Sequence, residues 1–272
     1  MIRKVAVVTG GASGIGRAIC CELVRHNIFV IISDINEEAG RLFEENLNSV
    51  SVKARYVYLD VTKYGCVERL LTDIYHEFGR IDYLFNNAGI AMYGELFDLT
   101  IEDWKEIMDV NLWGVINGTQ VGYKLMKKQG FGHIVNTASA AGLGPSPVST
   151  AYATTKHAVV GLTTSLHYEA EEFGIKVSAL CPTFVDTPIF EEAKAININK
   201  SIILKQLKKQ KMMSPEKLAK IAISGIHRNN PIICPMPMRR TMDIFFTLFP
   251  SAHKVMMRLV CKVSRKARIL EN

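Results

Sequence analysis

The segment TAYATTK at residues 150–156 places Tyr152 and Lys156 four positions apart, thirteen residues after Ser139. On a helix, positions i and i+4 share a face, so the Lys156 ammonium can act on the Tyr152 phenol. A free phenol titrates near pH ~10 and accepts protons poorly at neutrality, so chemistry that uses one as acid or base must favour the phenolate. Tyr and Lys at this spacing also make an ordinary solvated helix face, and the pair alone decides nothing.

A second group lies at the other end of the chain. The stretch TGGASGIG sets Gly10, Gly14 and Gly16 in a GxxxGxG pattern between an apolar run and a helical pattern. Missing Cβ atoms let backbone approach a pyrophosphate, and a helix N-terminus offers N–H donors and partial positive charge. A plain Gly-rich βα turn has the same composition. Asp34 ends the next apolar run about twenty residues on, where an acid bonds a ribose 2′-hydroxyl. Asp34 is equally suited to cap the helix that follows, and the two roles are compatible.

The elements that must hold these groups alternate. KVAVVT, IFVIISD, ARYVYLD, IDYLFNNAG, GHIVNTAS and IKVSALCP are strand-length apolar runs separated by helical patterns. Continuous apolar strands imply burial on both faces, and the alternation implies an α/β, doubly wound parallel sheet of Rossmann type. A long helix is expected after Thr100, with Thr100 and Asp103 as its cap, and another after Ser214-Pro215. No linker, repeat or low-complexity run interrupts the first 230 residues, so residues 1–238 read as one domain and 239–272 as a basic helical extension.

The formal charge is +7, and residues 239–272 hold eight basic against two acidic side chains, so the body is nearly neutral and is no general polyanion binder. The tail lacks interleaved aromatics and any nucleic-acid motif, which argues against a nucleic-acid partner. The six cysteines show no metal spacing, and no metal is expected. MIRKVAVVTG runs straight into a strand without a signal-peptide apolar region, so a cytoplasmic chain with reduced thiols is expected.

With the glycine loop, Asn86-Asn87-Ala88-Gly89 and Ser139/Tyr152/Lys156 in this order, the sequence resembles the short-chain dehydrogenase/reductase family over roughly residues 3 to 235. The resemblance implies an NAD(P)-dependent oxidoreductase and a homodimer or homotetramer. It implies that Gly10, Ser13, Gly14, Ile15 and Gly16 cradle the cofactor pyrophosphate. Asp60 and Val61 would contact adenine, and Asn87, Ala88 and Gly89 would support the sheet beside the adenosine. Tyr152 would be the general acid/base and Ser139 would position and polarise the substrate oxygen. Lys156 would lower the Tyr pKa and bond the nicotinamide ribose, and Asn111, in MDVNLWG, would hold a water of a proton relay. Pro182, Val185 and Thr187 would hold the carboxamide, although Thr183 stands where the family usually has Gly, and a β-branched residue resists positive φ. Ser139 could instead cap local backbone, and Asn111 could be a buried amide satisfied by a carbonyl. Asp34 with no cation at Ser13, Ile35 or Asn36 favours NAD, with NADP the weaker choice.

Residues after Thr187 correspond to the family's variable substrate lid. Ile189, Phe190, Ile196, Ile198, Ile202, Ile203, Leu204, Met212 and Met213, with Met92, Tyr93, Leu143 and Val148, suggest an apolar pocket for a lipid-, retinoid- or steroid-like secondary alcohol or ketone, or else a stripe packed on its own core. A scaffold that binds dinucleotide without turnover is the rival function, and the four intact catalytic positions argue against it. In the tail, Lys254, Arg258, Lys262 and Lys266 recur beside a stripe of Met256, Val260, Val263 and Ala267. Such a helix either packs on the body or makes peripheral contact with an anionic membrane.

Overall fold

The computed structural model describes residues 3–236 and 239–269. Strands β1 (Val5–Thr9), β2 (Phe29–Asp34), β3 (Ala54–Tyr58) and β4 (Tyr83–Asn86) alternate with helices α1 (Gly14–Arg25), α2 (Glu37–Asn48) and α3 (Tyr64–Phe78). A two-residue strand β5 (Met92–Tyr93) precedes α4 (Ile101–Met108) and α5 (Gly114–Gln129). Then follow β6 (Gly132–Thr137), α6 (Thr150–Glu169), β7 (Ile175–Leu180), α7 (Ile189–Glu192), β8 (Lys194–Ala195), α8 (Lys200–Lys208), α9 (Pro215–His227) and β9 (Ile232–Ile233). Two further helices, α10 (Arg239–Leu248) and α11 (Pro250–Ser264), end the described chain with a short 3₁₀ turn.

Seven strands form one parallel sheet in the order β3-β2-β1-β4-β6-β7-β9, as the apolar runs require. Side chains alternate between two cores. Ala6, Val8, Val30 and Ile32 face the layer of α1 and α9, while Val5, Val7 and Ile31 face that of α3 and α5. The order reverses between β1 and β4, so the carboxyl ends of these two strands diverge into the crevice where doubly wound sheets bind ligands.

Local signals explain several helix starts. Thr100 and Asp103 make the expected capping box, and Ser214 accepts from the Lys217 amide ahead of Pro215. The long helix after Thr100 differs from expectation: five residues, Asp109–Trp113, form a π-helical turn between α4 and α5. Asn36, and not Asp34, caps α2, through its side chain to the Ala39 amide. The tail stripe also needs correction. Helix α11 stops at Ser264, so Ala267 leaves the helical register and is buried against Val148 and Ile198 of the body. The expected boundary at residue 238 lies outside the described residues.

Candidate active site

The glycine loop is shaped by contacts that forbid side chains. Gly10 has φ +61° and Gly14 φ +48°, both costly for residues with a Cβ. A Cβ on Gly16 would stand 2.0 Å from the Gly10 carbonyl oxygen, and one on Gly10 would stand 2.8 Å from Ala88 Cα. Ser13 is the N-cap of α1 but caps nothing with its side chain, so the first-turn amides of Gly14, Ile15 and Gly16 stay open to an anion. Asp34 closes the second side of the loop: Oδ2 accepts from the Ala12 amide at 3.0 Å and Oδ1 from the Asn36 amide at 3.0 Å.

The β4 exit is stitched to this loop. Thr9 Oγ1 accepts from the amides of Asn87 and Ala88, and Asn87 Nδ2 donates to the carbonyls of Thr9 and Gly10. Thr9 was not singled out from sequence; a Thr at a strand end carries no distinctive signal. Asp60 accepts from the amide and hydroxyl of Thr62, and the carbonyl of Val61 accepts from Asn117. Across the loop, a Cβ on Gly14 would meet Thr187 at 3.3 Å, so the segment after β7 comes directly over the start of α1. Pro182 is buried and its carbonyl accepts from Ala140, while Val185 is buried and bridges to Met213. Thr183 escapes the anticipated strain, because its backbone is not left-handed.

The remaining residues meet at the carboxyl end of β6. Ser139 follows that strand and accepts from the Ala141 amide, so it does cap a local turn, and its hydroxyl is close enough to Tyr152 to pull the phenol pKa down. Tyr152 and Lys156 share one face of α6, with the ammonium 5.7 Å from the phenol ring centroid. Lys156 is buried and donates to the Thr137 carbonyl at 2.9 Å. Asn111, fully buried in the π-helical turn, pairs with both backbone groups of Ile90: Oδ1 accepts from its amide at 2.8 Å and Nδ2 donates to its carbonyl at 2.9 Å. Nδ2 also reaches Thr155. The π turn re-aims Asn111 toward Gly89, where an added Cβ would stand 3.1 Å from Oδ1 and 3.5 Å from Lys156 Nζ.

Electrostatics at this cluster differ from the simple expectation that Lys156 lowers the Tyr152 pKa. Burial pushes the Tyr152 phenol up, opposed by the hydrogen bond from Ser139. Burial likewise pushes the Lys156 ammonium down, to about 8. Both shifts penalise the charged forms, so a phenolate and an ammonium formed side by side would offset each other's desolvation. Tyr93, also close enough to Tyr152 to interact, is pushed up to about 12 by burial.

The apolar lining predicted from sequence divides. Met92 and Ile196 pack with Tyr152 itself. Ile198, Ile202 and Ile203 pack with Tyr93, Val148 and Ala267, and Met213 joins the main core. Val148 holds φ +63°, a strained conformation for a β-branched residue, four residues before Tyr152. Glu95 went unnoticed in the sequence: it is buried and faces Arg265 and Arg268 from the chain's far end.

The model of the short chain dehydrogenase family matches residues 4–197, about 71% of the chain. The chain belongs to the short-chain dehydrogenase/reductase family. It is therefore an oxidoreductase, as the motif order implied. A 3-alpha-(or 20-beta)-hydroxysteroid dehydrogenase of Mycobacterium tuberculosis is 38% identical over 189 residues, 70% of this chain and 72% of the relative. The 3-oxoacyl-[acyl-carrier-protein] reductase FabG of Thermotoga maritima is 35% identical over 189 residues, 70% of this chain and 77% of its own. A short-chain dehydrogenase/reductase from Burkholderia phymatum, solved in complex with NAD, superposes with a TM-score of 0.82 at 29% identity, covering 94% of this chain and 95% of that one.

Proposed function

We propose that the protein transfers hydride between NAD and a hydrophobic secondary alcohol or ketone, with Tyr152 as the general acid/base. The observation that carries this reading is that Ser139 acts directly on the Tyr152 phenol, which stands beside the buried Lys156. In the oxidative direction the Tyr152 phenolate takes the hydroxyl proton while hydride leaves the same carbon, and reduction reverses both transfers. Ser139 donates to the substrate oxygen where negative charge develops. Lys156 stabilises the phenolate, and Asn111 fixes the turn at Ile90 and holds a water through which the proton reaches solvent.

The fit to a dinucleotide rests on the glycine loop, whose close backbone approaches admit no side chains and whose first-turn amides no side chain caps. When bound, NAD supplies the hydride acceptor. The open amides of Gly14, Ile15 and Gly16 and the hydroxyl of Ser13 would bind its phosphates, Asp60 and Val61 would hold the adenine, and Asn87, Ala88 and Gly89 would support the sheet beside the adenosine. Pro182, Val185 and Thr187 would hold the carboxamide. The Asp34 carboxylate accepts from a ribose hydroxyl and repels a 2′-phosphate. Arg17, the cation nearest the glycine loop in sequence, lies over the Phe43 ring.

The hydrophobic substrate is supported by the apolar surroundings of Tyr152, namely Met92, Ile90 and Ile196, and by the name of the mycobacterial relative. We assign residues 1–238 to the catalytic domain and 239–272 to an extension. A homodimer or homotetramer is supported by exposed Trp113 and Tyr168. The test is a panel of aliphatic, steroid and retinoid alcohols with NAD and NADP, read by reduced-nicotinamide absorbance. Turnover of bulky apolar alcohols with NAD is expected. Turnover confined to small polar alcohols, or preference for NADP, overturns the substrate or cofactor assignment respectively.

A further inference from the structure

Helices α10 and α11 expose apolar side chains. On α10, Ile244, Phe245 and Leu248 face solvent; on α11, Val255, Leu259 and Val263 recur every fourth residue on one face. No residue of α11 is buried. Lys254, Arg258 and Lys262 recur at the same interval one position earlier, which sets a basic stripe about 100° around the helix, alongside the apolar one. Lys266 follows in the 3₁₀ turn after the helix, and all four are exposed.

The cations of this region are split by direction. Arg265 and Arg268 turn toward the body and meet the buried carboxylate of Glu95, and Arg268 also covers the Phe97 ring. Lys254, Arg258, Lys262 and Lys266 have no carboxylate partner among the described residues. An apolar stripe edged by unpaired cations matches the boundary of an anionic bilayer, which takes apolar side chains below the headgroups and cations at the phosphates. No helix among the described residues is long and apolar enough to cross a membrane. A second copy of the chain fits poorly, because residues 239–269 contain one acid, Asp243, to answer so many cations.

We propose that the surface formed by α10 and α11 docks the protein on anionic lipid surfaces. The surface is connected to the substrate lid: the Ala267 carbonyl accepts from the Asn199 amide at 2.6 Å, and the Ile269 amide donates to the Asn197 carbonyl at 2.9 Å. Ala267 itself is buried among Val148, Ile198 and Ile202. Docking therefore brings the segment around Val148 and Ile198, next to Tyr93, to the bilayer, where an apolar alcohol resides. The binding surface stands independently of which alcohol is the substrate.

The test is cosedimentation of the full-length protein with phosphatidylglycerol/phosphatidylcholine vesicles and with phosphatidylcholine vesicles, at low and high salt. The variants Lys254→Glu/Lys262→Glu and Leu259→Asp alter exposed positions, and circular dichroism confirms their fold. Binding to the anionic vesicles is expected at low salt, weakened at high salt. The charge-reversed pair is expected to bind at least about tenfold more weakly, from roughly 1 kcal/mol per cation at the surface, and Leu259→Asp is expected to bind more weakly as well. Absence of binding to anionic vesicles overturns the proposal, as does equal binding by either variant. Loss of a dimer in Leu259→Asp, without vesicle binding by the parent, assigns the face to a second copy instead.

Discussion

The sheet with its covering helices, including α9 and β9, and the segments 189–213 and 239–269 outside it deal with apolar surface in opposite ways. In the first, strands are covered on both faces, and the site's polar groups end on backbone partners: Asp34 on Ala12, Asn87 on Thr9 and Gly10, Lys156 on Thr137 and Asn111 on Ile90. In the second, short elements are held by a few strap contacts, and large apolar side chains from Ile244 to Ile269 stay exposed. The family match stops within the first of these segments, at residue 197. Proton and hydride transfer need atoms fixed to fractions of an ångström, and the sheet provides that. Choice of substrate and of location tolerates variation, and the lid and the two tail helices carry it.

The comparison breaks most visibly if the rigid half tolerates change. Gly16→Ala forces a Cβ against the Gly10 carbonyl, and overpacking of about 1–3 kcal/mol is expected to weaken NAD binding by about tenfold or more in a fluorescence titration. Unchanged affinity would mean that the loop is softer than its contacts indicate. Asp34→Ala is expected to shrink the preference for NAD over NADP by about tenfold, since like-charge juxtaposition costs several kcal/mol, with kcat/KM for the two cofactors as the readout. An unaltered ratio removes Asp34 from cofactor selection.

A pH profile probes the buried pair. Tyr152 must lose a proton to accept one from an alcohol, so kcat/KM for oxidation is expected to rise with pH. Lys156→Met removes the cation beside the phenolate, so the rising limb is expected to move to higher pH by about one unit. Stability carries the same sign: the folded-state pKa of Lys156 is depressed to about 8 from 10.5, so the wild type gains stability relative to Lys156→Met as pH rises from about 8 toward 10.5. A melting-temperature difference that is flat over that window contradicts the assignment.

What the sequence revealed follows the same division. Gly10, Gly14 and Gly16 were legible because positive φ or close backbone approach admits no other residue. Tyr152 and Lys156 were legible through helical spacing. Asn111 could be placed by resemblance alone, because nothing local announces the π turn that aims it. Glu95 and Arg265 lie 170 residues apart, and no periodicity links them. The tail stripe was drawn one turn too far because the chain leaves the helix after Ser264 to bury Ala267, a tertiary contact invisible to a helical wheel.

A smaller effect is expected in the lid. Glu95→Gln removes the carboxylate that holds Arg265 and Arg268, and a loss of about 1 kcal/mol is expected in thermal unfolding. The Km for a bulky alcohol should rise while NAD affinity stays constant. A matching loss of NAD affinity would show that strap and sheet are not separable.

The central claim is that Tyr152 moves the proton, and Tyr152→Phe tests it most directly because it removes one hydroxyl and no packing. Turnover with the best alcohol of the panel and NAD affinity are measured on the same preparation. A fall in kcat of about 10²-fold or more with NAD binding preserved is the expected result. A Tyr152→Phe enzyme with near-normal kcat contradicts the account and takes the proton transfer to another group.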